Sequence, residues 1–234
     1  MEKKFILTDK FVINSFGIKL FQIKCTKSFK YAQKGDFGGY VEKEGNLDQE
    51  NDAWVFGNAR VFGNARVFGN ARVSSNARVS SNARVSGDAW VSDNARVSGD
   101  AWVSGDALVS GYAWVSGDAR VFGNAWVFGN ARVFGNARVS GDAWVSGNAR
   151  VSGDADIEND NEHCGFDGFG SCNRHTHAYM TKEKKVEIIC GCFRGSIEEF
   201  EKKVEETHSG TVYEKQYKSI INVIKIKFGL TDFT

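Results

Sequence analysis

Between residues 53 and 156 the chain returns every six residues to the pattern Ala-(Arg/Trp)-Val-(Ser/Phe)-Gly-(Asn/Asp). Val stands at position 55 and at every sixth position to Val151, 17 valines in all, and Ala runs likewise from Ala53 to Ala155. A repeat of this kind constrains the architecture before any single motif does. Within a hexad, Ala-x-Val-x alternates, which places Ala and Val on one face of a short strand and Arg/Trp with Ser/Phe on the other. Gly followed by Asn or Asp makes a corner where a positive φ is tolerated. A strand that meets a corner in every hexad cannot run straight. Three such strands close a triangular coil, and coils stack with parallel, in-register pairing ~4.8 Å apart. About six coils follow, a prism roughly 28 Å long on that spacing.

The composition agrees. There are 26 Gly and no Pro, although turns normally draw on both. Fourteen of the glycines sit at hexad corners, from Gly57 to Gly153, and proline would remove amide hydrogens that stacked coils use. With 234 residues, 41% apolar and 25% charged, the chain is neither disordered nor collagen-like, and has room for one large or two small domains. A net charge of +1 gives the whole chain no pull toward nucleic acid or membrane. No apolar run reaches the length of a membrane span, and the N-terminal stretch is interrupted by Asp9 and Lys10, too early for a signal-peptide core. A soluble, cytoplasmic protein with neither a DNA nor a membrane partner is expected. Five Cys, an odd number without a regular framework, suit a reducing compartment.

An inward aliphatic residue with a small residue two positions before it resembles the left-handed parallel β-helix of hexapeptide-repeat proteins. The left hand is implied by that resemblance, since β-crossovers in general favour the right. The expected fold is thus mainly β: a cap over residues 1–52, a solenoid over 53–157 and a small α+β domain over 158–234.

Reading the repeat at three-hexad intervals gives its outer faces. One carries Trp54, Arg72, Trp90, Leu108, Trp126 and Trp144; the second Arg60, Arg78, Arg96, Trp114, Arg132 and Arg150; the third Arg66, Arg84, Trp102, Arg120, Arg138 and Asp156. An exposed aromatic stripe asks for a partner, so Trp54, Trp90, Leu108, Trp126 and Trp144 are expected to pack between subunits of a homotrimer, an assembly common among proteins of this fold. The arginine rows, ten Arg against eight Asp in the array, are expected to be a solvated face, with Asp at nearby corners.

The flanks differ in kind. Lys4–Leu7, Lys10–Ile13 and Ile18–Lys24 read as short strands around a turn at Asn14–Gly17, a cap blocking an open sheet edge. In the last third, His175–Thr181 and Val186–Cys192 form a hairpin, Ser196 with Glu199 makes a capping box that starts a helix reaching about Thr207, and a second helix spans about Val212–Phe228. The opening hairpin, the stretch from Gly35 to Glu44, the hexads, and a tail with Gly168–Ser171, Cys190–Phe193 and Glu198–His208 resemble phage- and prophage-encoded hexapeptide-repeat proteins of unassigned function. That resemblance implies expression in the cytoplasm of a bacterial host; it implies no reaction.

The stretch from Gly165 to His177 is the candidate ligand site. Gly168 and Gly170 can open an anion-binding nest, Ser171 and Thr176 bring hydroxyls, Arg174 a planar fork, and Phe166 or Phe169 a stacking surface. Phe169, Gly170, Ser171, Asn173, Arg174, His175, Thr176 and His177 would then hold a small anion such as a signalling nucleotide. A glycine loop joining solenoid to cap, with Arg174 in a salt bridge, is the plainer reading. The strand, Lys and helix of dinucleotide and phosphate-loop motifs are missing. His163, Cys164, Cys172, His175, His177, Cys190 and Cys192 are metal-ligand types, with Cys190/Cys192 and His175/His177 each on one strand face, yet no Cys-x-x-Cys pair exists. No metal and no cofactor are therefore expected. Coenzyme A-dependent acyl transfer, frequent among left-handed β-helix enzymes, lacks its base in the array, leaving His175 or His177. The sequence favours a non-catalytic trimeric binding protein that sequesters a small anionic, nucleotide-like host immune signal. A virion structural or assembly protein is the alternative and an acyltransferase the second.

Overall fold

The computed structural model describes residues 2–230. The array is a parallel β-solenoid whose two-residue rungs, Trp54–Val55 through Asp156–Ile157, are distributed over three sheets. Each rung pairs in register with the rung 18 residues away, as Val55 with Val73 and Val91 with Val109. Every Val of the array is fully buried, and its Ala residues are buried with them, so the strand alternation lines the prism from end to end. In one hexad the amides of Asn94, Arg96 and Ser98 donate to the carbonyls of Gly111, Ala113 and Val115 at 2.9, 2.9 and 3.0 Å. Half of the hexad's amides thus hold the next coil, which accounts for the missing proline. At the corners lacking glycine, Ser75, Ser81 and Asp93 take φ of 61, 62 and 57°, the left-handed region that costs an L-residue energy.

Outside the core, neighbouring coils match by side-chain type. The indole N–H of Trp90 donates to Ser74 Oγ of the preceding coil, Trp102 to Ser86 and Trp114 to Ser98, at 2.9, 2.9 and 3.0 Å. Where that position is Phe, an arginine lies over it: Arg138 over Phe122 at 5.3 Å and Arg150 over Phe134 at 5.8 Å. A short acceptor suits a tryptophan donor and an aromatic face suits a guanidinium.

At the N-terminus β1 (Phe5–Ile13) and β2 (Lys19–Cys25) form an antiparallel hairpin. β1 is one bulged strand where the sequence suggests two, because Asp9 and Lys10 sit on its exposed stretch between paired Leu7 and Phe11. β3 (Phe37–Val41) pairs antiparallel with β2 and parallel with the solenoid, Val41 against Val61. Leu47 bridges Val67 in the same way. Both spacings are two residues longer than the array's, so an irregular coil precedes the hexads and the cap shares their core. Gly38 and Gly39 permit it, since a Cβ on either would lie 2.6–2.7 Å from backbone or side chain of the first coil.

The C-terminal domain is a four-stranded antiparallel sheet in the order His163–Phe169, Arg174–Met180, Val186–Cys190 and Phe193–Ser196, followed by α1 (Ile197–His208) and α2 (Val212–Lys227). The capping box at Ser196 and Glu199 is present. One face of the sheet closes the open end of the prism with Tyr179 and Ile189. The other packs Ala178, Ile188 and Cys190 on Phe200, Val204, Tyr217, Ile220, Ile221 and Ile224 of the helices. The two outer strands escape sequence reading because glycines and charges interrupt their alternation. Among the described residues no helix is long and apolar enough to cross a membrane.

Candidate functional site

The stretch singled out from the sequence is a hairpin rather than a loop. Gly165 pairs with His177 and Phe166 with Thr176, leaving a turn at residues 170–173. Strand alternation then divides its side chains. His175 and His177 face the solenoid; Thr176, fully buried, faces the helices and donates to Cys190 Sγ at 3.3 Å. Ser171 and Arg174 open onto a cavity of about 280 Å³. Phe169 and Asn173 remain exposed, Asn173 with φ 47°. Gly168 and Gly170 do take positive φ, 80 and 73°, but the Gly170 amide is held by Gln216 Oε1 at 2.9 Å and a Cβ there would overlap the Tyr217 hydroxyl. Gly170 is thus a packing glycine and not a free anion nest.

The histidines form a chain at the junction. The Arg150 carbonyl accepts only, so His177 donates Nδ1–H to it at 2.9 Å and offers Nε2 to His163 Nδ1–H at 3.2 Å. His175 Nδ1 donates to Asp167 Oδ1 at 2.8 Å. Burial pushes His177 down to about 3 and His163 down as well, so these two rings are held neutral. With 1% exposure His177 is enclosed in the junction and is not among the residues that line the cavity. Cys190 ends its strand and Cys192 lies in the turn beyond it, so the shared strand face expected for that pair does not exist. Among the described residues no group of three or more His, Cys, Asp or Glu is placed to hold a metal ion.

The cavity is lined from both helices as well. α1 contributes Lys203, Thr207 and His208, and α2 contributes Tyr217, beside Cys172 and Cys192 of two turns and Phe193 of the last strand. Phe200, Lys203, Val204, Thr207 and His208 follow helical spacing, so the apolar stripe of α1 continues into polar residues at its end. That continuation is the sequence signal that marks the cavity wall on α1. Burial, with Cys190 beside it, pushes the Tyr217 hydroxyl up to about 12, and the His208 ring stacks on Tyr217 at 5.5 Å. Among the described residues no carboxylate lines the cavity and Arg174 makes no ion pair, contrary to the salt bridge of the plainer reading.

The aromatic stripe also changes. Trp54 is 1% exposed, packed edge-on against Phe5 and Phe29 of the cap, and belongs to no outer surface. Trp90, Trp126 and Trp144 are exposed, Leu108 half-buried, and Trp126 stacks on Trp144 at 4.9 Å.

Residues 65–81, 77–93, 89–105, 101–117 and 131–147 match the family model of the YdcK beta solenoid repeat. The array is similar to that repeat. No curated protein matches the chain. The match lies wholly within the solenoid and does not touch the C-terminal cavity.

Proposed function

We propose that the protein is a non-catalytic binding protein whose solenoid is a rigid scaffold and whose C-terminal cavity takes a small anion with an aromatic part, such as a nucleotide. The observation that carries this reading is the lining: Arg174 and Lys203 bring positive charge, Ser171 and Thr207 bring hydroxyls, Phe193 and Tyr217 bring ring surface, and none of the lining residues is acidic. Guanidinium and ammonium groups facing an apolar wall suit a phosphate joined to a base. The exposed Trp90, Trp126 and Trp144 support self-association along the solenoid, three copies in our proposal, which would place several cavities in one particle. Sequestration of a nucleotide signal in a phage-infected bacterium is the biological form of this reading.

Calorimetric titration of the full chain with a panel of mono-, di- and cyclic nucleotides tests it. Binding of at least one, recovered chemically unchanged and weakened tenfold or more by Arg174→Ala, is the expected result. No heat from any member of the panel, or turnover of the bound one, overturns it.

A further inference from the structure

The overall charge of +1 conceals how charge is arranged around the prism. Of the ten arginines in the array, only Arg138 forms an ion pair among the described residues, with Asp156 at 3.7 Å. The carboxylates stand at the corners of the prism, and none but Asp156 comes within ion-pair distance of an array arginine among the described residues. The corner position before the Arg60 face reads Asn58, Asn76, Asn94, Tyr112, Asn130 and Asn148, with no acid. The corner at the other edge of that face alternates Asn64, Asn82, Asp100, Asp118, Asn136 and Asp154, and Asp88, Asp106 and Asp142 mark the third corner, away from it. Asp93, one position earlier at the asparagine corner, is engaged by the Gly111 amide at 3.0 Å.

The face beginning at Arg60 therefore carries five guanidinium groups in register with no carboxylate partner among the described residues, Arg60 with Arg78, Arg78 with Arg96, and Arg132 with Arg150, the last of which also donates to the Gly191 carbonyl at 3.5 Å. Trp114 interrupts the row at 41% exposure, and Tyr112 stands beside it at 69%. Arg132 lies over the Trp114 ring at 6.0 Å. Burial, followed by the like charges of Arg60 and Arg96, lowers Arg78, as expected for cations stacked at strand spacing without counterions.

We propose that this face binds single-stranded nucleic acid, the guanidinium row tracking the phosphates and Trp114 with Tyr112 stacking bases. From Arg60 to Arg150 the row covers five coil intervals, ~24 Å, the rise of about seven nucleotides at 3.4 Å per strand, which falls within the ~4–16 nucleotide footprints of known single-strand grooves. One cation per coil follows one backbone, not two. Aromatic side chains set into a cationic row are what distinguish a nucleic acid track from a site for any polyanion. The tryptophan face proposed for self-association is a different side of the prism, so both surfaces are available together. The inference does not depend on the C-terminal cavity.

The test is fluorescence anisotropy of labelled oligo-dT and oligo-U of about 20 nucleotides with the full chain, across a salt series. Arg78→Gln/Arg96→Gln should weaken binding at least tenfold and lower the slope of log K against log salt by about 1.4, since each lost phosphate contact contributes ~0.7. Arg84→Gln/Arg120→Gln, two cations removed from the face that has acids at both edges, should change affinity less than threefold. Trp114→Ala should weaken it about fivefold or more. Circular dichroism confirms that each variant is folded. Absence of binding at 50 mM salt, equal loss in both double variants, or a neutral Trp114→Ala with inorganic polyphosphate competing as well as the oligonucleotide would each overturn the proposal.

Discussion

His177 donates its Nδ1 proton to the carbonyl oxygen of Arg150 across 2.9 Å, joining the middle of the C-terminal sheet to the last full coil of the solenoid. The ring is shut away from water by both, and His163 donates to its remaining nitrogen. This neutral histidine chain is a polar seam in an otherwise apolar closure made by Tyr179 and Ile189.

The seam makes stability depend on pH. An unfolded histidine titrates near 6.5, whereas burial holds folded His177 at about 3. Between those values the unfolded chain binds a proton that the folded chain refuses, so the stabilisation is complete above about pH 6.5 and is lost as pH falls toward 3. His163 is shifted in the same direction, also by burial. From pH 7 to 4.5 the His177 contribution falls by roughly 2–3 kcal/mol. His177→Gln should be less stable at pH 7 and show a flatter dependence, measured as urea midpoints at the two pH values. Parallel curves for the two proteins would exclude His177 as the titrating group.

The corners predict opposite effects of two small substitutions. A Cβ on Gly111, at φ 67°, would lie 2.9 Å from the Gly129 amide nitrogen of the next coil. Gly111→Ala should cost at least the ~1–2 kcal/mol of the left-handed conformation. Ser75 already holds φ 61° with a side chain, so Ser75→Gly should stabilise by a few tenths to about 1 kcal/mol. Thermal unfolding of both variants checks the pair.

Two tryptophan positions separate folding from assembly. Trp54, buried under Phe5 and Phe29, should cost about 3–5 kcal/mol on truncation to Ala. Trp126→Ser with Trp144→Ser removes an exposed stack worth about 1 kcal/mol and should turn the proposed trimer into a monomer by light scattering at micromolar concentration. A wild-type monomer in that measurement rejects the proposed assembly.

Thiol reactivity reports on the cavity. Cys172 and Cys192 are exposed at its lining, while Cys25 is buried and burial pushes Cys164 up to about 11. Iodoacetamide should label Cys172 and Cys192 first, and a bound nucleotide should slow both. Peptide mass spectrometry resolves the five sites.

The repeat alone determined the solenoid, because its information is local and renewed in every hexad: Ala and Val go inward wherever the strand alternates, and Gly or a tolerant substitute turns the corner. The same sequence gave no sign of the first coil, in which Val41 and Leu47 occupy rungs of the core at a longer spacing. Nor did it reveal that Trp54, which repeats like the other tryptophans, is covered by the cap. In the last third the helices and the central hairpin were legible from caps and alternation. The site was not, because residues adjacent in sequence alternate across a sheet that has the solenoid on one side and helices on the other. That two-sided packing sent His177 to the seam, Thr176 to the core and Arg174 to a cavity completed by Lys203 and His208, more than 25 residues further along the chain.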